Sequence, residues 1–285
     1  MIEVVRAGIY TTIQDLGRFG YRNQGVPTSG AMDQYSSQMA NQIVGNDPNT
    51  AVIEFVLKGP HLYFHNASVV ALSGANCIAE LNGKRIKINQ QIFVPAKSKL
   101  VIKSIKSGMY GYLAVNGGLQ VDRVLGSYSL YPNITKQSKL NKGDCIGFTT
   151  KSLSDTNLNS SISYNENKIS CNVLKVEKGA EFNQLNTMAI NQLFNTQFTP
   201  ATSSNRMAYT LEHNIKSLNA HEITSGNVQT GTVQLTPSGK VIVLMRDAQT
   251  TGGYARVLQL TPMAINQLSQ KRPGEKVTFE LLKKG

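Results

Sequence analysis

Tryptophan is absent from this 285-residue chain, and cysteine, histidine and acidic residues are scarce. Cys77, Cys145 and Cys171 are widely spaced and form no C-x-x-C. Neither a disulfide framework nor a structural zinc site is expected, and all three read as small buried hydrophobes. The four histidines show no H-E-x-x-H spacing. His61 and His65 follow Gly59-Pro60 in a strand-like stretch, where strand rise sets them about 13 Å apart; they read as surface histidines, and no metal site is expected. Long apolar runs are also missing. Val241–Met245 is far too short to span a bilayer. Glu3 and the lack of an apolar leader argue against a signal peptide, so the cytoplasm is the expected location and no membrane partner is expected.

The shortage of acids leaves 29 basic residues against 17 acidic ones, a net charge of +12. Such a balance raises the question of a nucleic-acid surface. The lysines, however, are scattered (Lys84, Lys87, Lys97, Lys99, Lys103, Lys106) and alternate with apolar residues, as on the solvent face of strands. No aromatic-basic motif accompanies them. An anionic small substrate or an acidic partner protein uses this charge better than nucleic acid.

The hydrophobic pattern predicts a mainly β chain with a few short helices. Segments such as Ser68–Leu72, Arg85–Ile88, Lys99–Ile105 and Gly111–Val115 are short and β-branched, and Asn82-Gly83 is a hairpin turn signal. Helices are predicted over 30–44, capped by Ser29 and stopped by Gly45, over 181–194, and from Thr261-Pro262 to before Pro273. Residues 151–170, half of them Ser or Asn, read as a linker. The division is therefore an N-terminal β subdomain over 1–150, the linker, and a C-terminal β subdomain over 171–285. Gly143-Asp144 leading to Phe148 is echoed by Gly274-Glu275 leading to Phe279, each a Gly-acid turn feeding a closing strand. The hexapeptide Met-Ala-Ile-Asn-Gln-Leu occurs at 188–193 and 263–268; its surroundings match poorly, and it reads as coincidence.

Three polar, glycine-punctuated segments are candidates for chemistry. Gly8 to Asp33 includes Thr12, Gln14, Asp15 and Arg18 and leads into a helix start, where backbone N–H groups suit an anion and Arg18 or Arg22 suits a carboxylate or phosphate. The alternative is a structural turn in which Asp15 pairs with Arg18. In the second, Gly126-Ser127 and Ser129 offer hydroxyls, but there is no G-x-S-x-G and no placed histidine to activate a serine. The third gathers Arg206 as an anion clamp, Gln234 in mid-strand, Asp247 at a strand end, and the run Gln249, Thr250, Thr251, Gly252, Gly253, Tyr254.

Taken in order, TTIQDLGRFGYRNQGVPTSGAMD, ANQIVGN, VIEFVLKGP, LSGAN, YLAVNGGL, VLGSYS, SNRMAYTLE and VLMRDAQTTGGYARV resemble the successive blocks of one family. It is known as the C subunit of 5-oxoprolinase, and also as allophanate hydrolase subunit 2, biotin-dependent carboxyltransferase and KipA. The resemblance runs from about residue 2 to 282. It departs at Ala255, Ala208 and Thr210, where the family usually carries Pro, Gly and Arg, and at Gly226 in a block that usually carries an acid.

The resemblance implies two cyclophilin-like β-barrel subdomains and a separate B-type partner protein, of the KipI or allophanate hydrolase subunit 1 kind, joined by a third, A-type component. The complex opens 5-oxoproline to L-glutamate using ATP, the cofactor at the level of the complex. A lactam is a poor electrophile; phosphorylating its oxygen creates a leaving group, and a cationic glycine-lined site suits the charge that develops. On this reading Asp15, Arg18, Asp33 and Asp247 are catalytic candidates. Thr12, Gln14, Arg206, Gln234, Gln249, Thr250, Thr251, Gly252 and Tyr254 bind substrate, in a site to which both halves contribute. Two other roles fit the family: a KipA-like regulator that binds a kinase-inhibitor partner, and a carboxyltransferase component of a urea carboxylase-like system. The last requires biotin on a separate carrier, since this chain has no carrier Lys motif.

Overall fold

Short β-branched runs punctuated by Gly, Asn and Pro become strands throughout the computed structural model, which describes residues 1–149, 166–215 and 223–282. The described residues form two compact units. One comprises Met1–Arg18 with Ser29–Asn165, the other Phe19–Thr28 with Glu166–Gly285. A linear division near residue 150 therefore separates most of the two units but leaves Phe19–Thr28 on the wrong side. Of the expected linker 151–170, residues 151–165 lie outside the described residues, and Glu166–Ser170 is helical.

The first unit contains β1 (Ile2–Arg6), β2 (Tyr10–Gln14), α1 (Gln34–Ile43), β3 (Val52–Val56), β4 (His61–Phe64), β5 (Ser68–Leu81), β6 (Lys84–Ile86), β7 (Gln91–Val94), β8 (Ser98–Val115), β9 (Leu119–Gln120) and β10 (Cys145–Phe148). They form one ten-stranded sheet with the path β2-β3-β8-β4-β1-β10-β9, from which β5 branches to β6, β7 and β8. β8 is long enough to pair with three neighbours: Ser98–Val101 with β4, Tyr110–Leu113 with β3, and most of its length with β5. Gly111 permits this crossing, because a Cβ there would lie 2.3 Å from the Phe55 ring. Ile2, Val4, Ile53, Phe55, Leu62, Phe64, Leu72 and Leu113 are fully or almost fully buried in the shared core. The lysines named above are all exposed, as their alternation predicts. Asn82 (φ 49°) and Gly83 (φ 80°) make the expected hairpin between β5 and β6.

α1 begins later than Ser29 suggests. Ser29 and Gly30 take φ of 55° and 95°, left-handed values that no helix start can use. Asp33 is the true cap, accepting from the Ser36 N–H at 3.0 Å. Met39, Ala40 and Ile43 then face the core, and Gly45 terminates the turn.

The second unit contains α2 (Glu166–Ser170), β11 (Val173–Lys178), α3 (Thr187–Asn195), β12 (Thr199–Pro200), β13 (Ala208–Glu212), β14 (Gly226–Asn227), β15 (Thr232–Leu235), β16 (Val241–Leu244), β17 (Thr251–Gly252), β18 (Ala255–Leu260), α4 (Pro262–Ser269) and β19 (Thr278–Leu281). Its seven-stranded sheet runs β12-β13-β16-β15-β18-β11-β19, and β14 pairs with β17 in a separate small ribbon. The expected helix over 181–194 is broken: Phe182–Gln184 is a 3-10 turn, Leu185 is extended, and α3 starts after an Asn186 cap. α4 starts at Thr261-Pro262 as predicted, with the Thr261 hydroxyl accepting from the Ala264 N–H at 3.2 Å. The repeated hexapeptide sits in the same place in both helices, beginning two residues after the cap, and it buries Leu193 and Leu268 completely. The repetition has a shared local role.

The two Gly-acid turns also correspond. Asp144 Oδ2 accepts from the Asn141 N–H and Glu275 Oε2 from the Arg272 N–H, both at 2.7 Å. Each turn feeds a strand that pairs with the first strand of its own unit, β10 antiparallel to β1 and β19 parallel to β11. Among the described residues the fold is mainly β with four short α-helices, as expected, and no helix is long and apolar enough to cross a membrane.

Candidate functional site

The first polar constellation lies in the first unit and centres on Asp15, just past the end of β2. Its carboxylate is buried and accepts four hydrogen bonds: Ser127 Oγ at 2.7 Å, Ser129 Oγ at 2.6 Å, the Tyr128 N–H at 2.8 Å and the Gly17 N–H at 2.8 Å. The serine pair of the second candidate segment thus serves Asp15 and no nucleophile. Arg18 is fully buried beside it and donates to the carbonyls of Val124 (3.1 Å) and Ser129 (2.9 Å). Gln14 and Thr12 are buried too, joined by a 3.1 Å bond from Gln14 Nε2 to Thr12 Oγ1. Asp33 is wholly buried as the cap of α1, where its carboxylate also accepts from the Ser36 hydroxyl. The Asp33 N–H donates to the Tyr112 hydroxyl at 2.7 Å, and the Met32 N–H to buried Glu54 at 2.7 Å. Burial, then the charges of Glu54 and Asp33, push the Tyr112 phenol well above its ordinary value, so it stays protonated.

The second constellation lies in the second unit. Arg206 and Asp247 form a two-pronged ion pair, 2.7 Å and 3.1 Å long, with both side chains largely buried. The Asp247 N–H also donates to the Arg206 carbonyl at 2.9 Å. Gln234 is buried on β15, and among the described residues its Nε2 has no hydrogen-bond partner. Gly252 of the β14–β17 ribbon packs on it: a Cβ there would come within 2.6 Å of that nitrogen. Gln249 and Thr250 are half-buried, and Thr251 and Tyr254 are exposed. Ala255 and Ala208 are the first residues of β18 and β13, a strand position that also accommodates Pro.

The same unit holds a cleft of about 520 Å³ bordered by Arg22, Lys178, Thr232, Thr250, Arg256 and Gln259. Of the residues the sequence singles out, Arg22 and Thr250 are in its wall. Arg256 is clamped by Glu181, Nη2 to Oε1 at 2.6 Å and Nε to Oε2 at 2.9 Å, and gives its remaining nitrogen to the Asn227 carbonyl at 2.9 Å. Hydrogen bonds from Arg256 hold the Glu181 carboxyl below its ordinary value and outweigh the opposing effect of burial. Glu181 lies outside the quoted blocks and Arg256 near the end of the last; they are 75 residues apart in the chain and meet through the fold. Gly179 allows that approach, since a Cβ there would lie 2.2 Å from the Arg256 carbonyl oxygen. Among the described residues no three His, Cys, Asp or Glu side chains group as a metal site. Cys77 is buried and Cys171 half-buried, but Cys145 is exposed, because it falls on the outward register of β10.

Each unit is thus a predominantly antiparallel sheet carrying its own buried polar node, an architecture of two β subdomains. The chain belongs to the carboxyltransferase domain family, subdomains A and B, whose model matches residues 24–281. It is 32% identical to the 5-oxoprolinase C subunit of Escherichia coli K12, over 98% of this chain and 90% of that one. The crystal structure of TTHA0988 superposes with a TM-score of 0.88 at 29% identity, covering 98% of this chain and 55% of that one. The urea amidolyase of K. lactis gives 0.86 at 26% identity, covering 99% of this chain and 19% of that one.

Proposed function

We propose that the chain is the C component of a cytoplasmic ATP-dependent 5-oxoprolinase that opens 5-oxoproline to L-glutamate together with its A and B partners. The observation that supports this most is the end-to-end similarity to a 5-oxoprolinase C subunit, which spans 98% of this chain and 90% of the relative. The geometry adds a division of labour. Asp15, Arg18 and Asp247 are bonded to distant segments of their own unit and Asp33 to its helix start, so in this reading they are positioning groups. Half-buried or exposed Gln249, Thr250, Thr251 and Tyr254 are the residues left to meet substrate. Within the second unit, Arg206 and Gln234 are buried and shape the interior; Thr12 and Gln14 do the same within the first.

ATP belongs to the complex. The cleft in the second unit does not suit its base, because the nearby Phe182 ring is already covered by Lys178 Nζ, 4.8 Å from the ring centroid. No ATP step is assigned to this chain. The test is reconstitution with the two partner proteins. ATP hydrolysis should depend on both 5-oxoproline and this chain; a complete complex that never turns over 5-oxoproline overturns the reading.

Likeness to the K. lactis urea amidolyase favours a second reading, a carboxyltransferase component of a biotin-dependent system. Transfer of carboxylate from a biotinylated carrier to urea, with no response to 5-oxoproline, would establish it instead.

A further inference from the structure

We propose that the cleft in the second unit is an oxyanion-binding site, in which Arg22 receives a carboxylate or phosphate of a small hydrophilic ligand. The proposal does not rest on the oxoprolinase reading.

The balance of charge around the cleft singles out Arg22. Three cations border it: Arg22, Lys178 and Arg256. Arg256 is already neutralised by Glu181, and all three of its nitrogens are engaged. Lys178 lies over the Phe182 ring, which offers a cation only a weak partner. Glu177 also lines the cleft but is exposed to solvent. Arg22 is different. Its Nη2 donates to the neutral Val228 carbonyl, and among the described residues no carboxylate pairs with it. Burial holds the guanidinium below its ordinary value, and among the described residues no acid acts in the opposite direction. A partly desolvated cation facing a cavity without a counter-charge is unfavourable unless a ligand supplies one.

The rest of the wall suits such a ligand. Thr232, Thr250 and Asn227 offer neutral hydrogen-bonding groups, and Thr232 is held in place by a 3.1 Å bond from its hydroxyl to Gln259 Oε1. A volume of about 520 Å³ lies within the usual range for small-molecule sites. Among the described residues no aromatic ring lines the cleft to stack a base, so the wall favours a compact polar anion over a nucleoside. A planar guanidinium receives carboxylate and phosphate alike through paired N–H groups, and the experiment separates the two sources.

The full chain is titrated calorimetrically with inorganic phosphate, L-glutamate, 5-oxoproline and ATP at low and high salt. Saturable one-to-one binding of at least one of the first three is expected, weakened by salt. Arg22→Gln should reduce its affinity at least tenfold, and Lys178→Gln a few-fold. Lys99→Gln, an exposed lysine of the first unit, should leave it unchanged. Binding by phosphate alone identifies a phosphorylated ligand, and binding by the carboxylates alone a carboxylate ligand. No saturable binding by any anion, or equal binding by Arg22→Gln, overturns the proposal. Should that variant fail to fold, the unaltered protein decides. The anion that binds should protect Arg22 from phenylglyoxal, read by peptide mass mapping, and equal modification with and without the anion overturns the proposal. Because turnover is not measured, the result is independent of the oxoprolinase test.

Discussion

Arg206 and Asp247, 41 residues apart in the chain, face each other through two parallel N–H···O bonds of 2.7 Å and 3.1 Å, with side chains only 8% and 13% exposed. The pair fastens the loop before β13 to the loop after β16. Each partner offsets part of the cost of burying the other.

Removing both partners should therefore cost less than the two single removals added together. Asp247→Ala leaves a buried guanidinium without its counter-charge, a change that typically costs about 3–5 kcal/mol. The double replacement Arg206→Ala with Asp247→Ala should be less destabilising than the sum of the two single changes. Urea unfolding of the four proteins measures this directly. Additive losses would mean that the pair contributes no coupling.

The Asp15 node makes a graded prediction. Ser129→Ala or Ser127→Ala removes one donor of four and should cost about 1–3 kcal/mol. Asp15→Ala strands both hydroxyls and two backbone N–H groups at once and should cost more than either serine change. If Asp15 acts only by positioning, the serine variants should lower activity of the reconstituted complex in proportion to lost stability. A serine variant of normal stability but no activity would instead put the Asp15 carboxylate in the chemistry.

The Glu181–Arg256 clamp predicts an acid limb in the stability profile. The folded-state pKa of Glu181 is depressed, so its contribution is complete above the unfolded carboxyl value, ordinarily 4.5, and is lost as pH falls through the lower folded value. Arg256 is correspondingly raised by the same interaction, and the two shifts describe one bond network, counted once. Glu181→Gln should be less stable than the natural chain at pH 7, with the gap narrowing below pH 4.5. Thermal unfolding across pH 3–7 reads it; a gap independent of pH would remove the electrostatic explanation.

Local signals carry the fold far. Thr261-Pro262 and Asn82-Gly83 behave as their dihedral preferences require, and the two Gly-acid turns are visible as an echo. Ser29 misleads because a capping residue type does not reveal its own backbone angle, and φ of 55° rules out a cap. The polar residues of the candidate segments are legible as important, but their partners are not. Nothing near Asp15 in the chain announces Ser127 and Ser129, more than a hundred residues on. The cleft is the least legible feature, because its wall draws on Arg22, Lys178, Asn227 and Arg256, which are far apart in the chain. Of these, Arg22 alone reads from the sequence as an anion ligand, and its partial burial with no paired acid among the described residues emerges only from the folded chain.

Phe19–Thr28 belongs to the second unit although the rest of that unit lies beyond residue 165. During synthesis this stretch leaves the ribosome well before its final neighbours, such as Val228 against Arg22, which follow about two hundred residues later. A gene split or protease cut between the units would separate Arg22 from the cleft it borders. The two subdomains are thus not freely exchangeable modules, and recombination that moves the second must also carry ten residues from near the beginning of the chain.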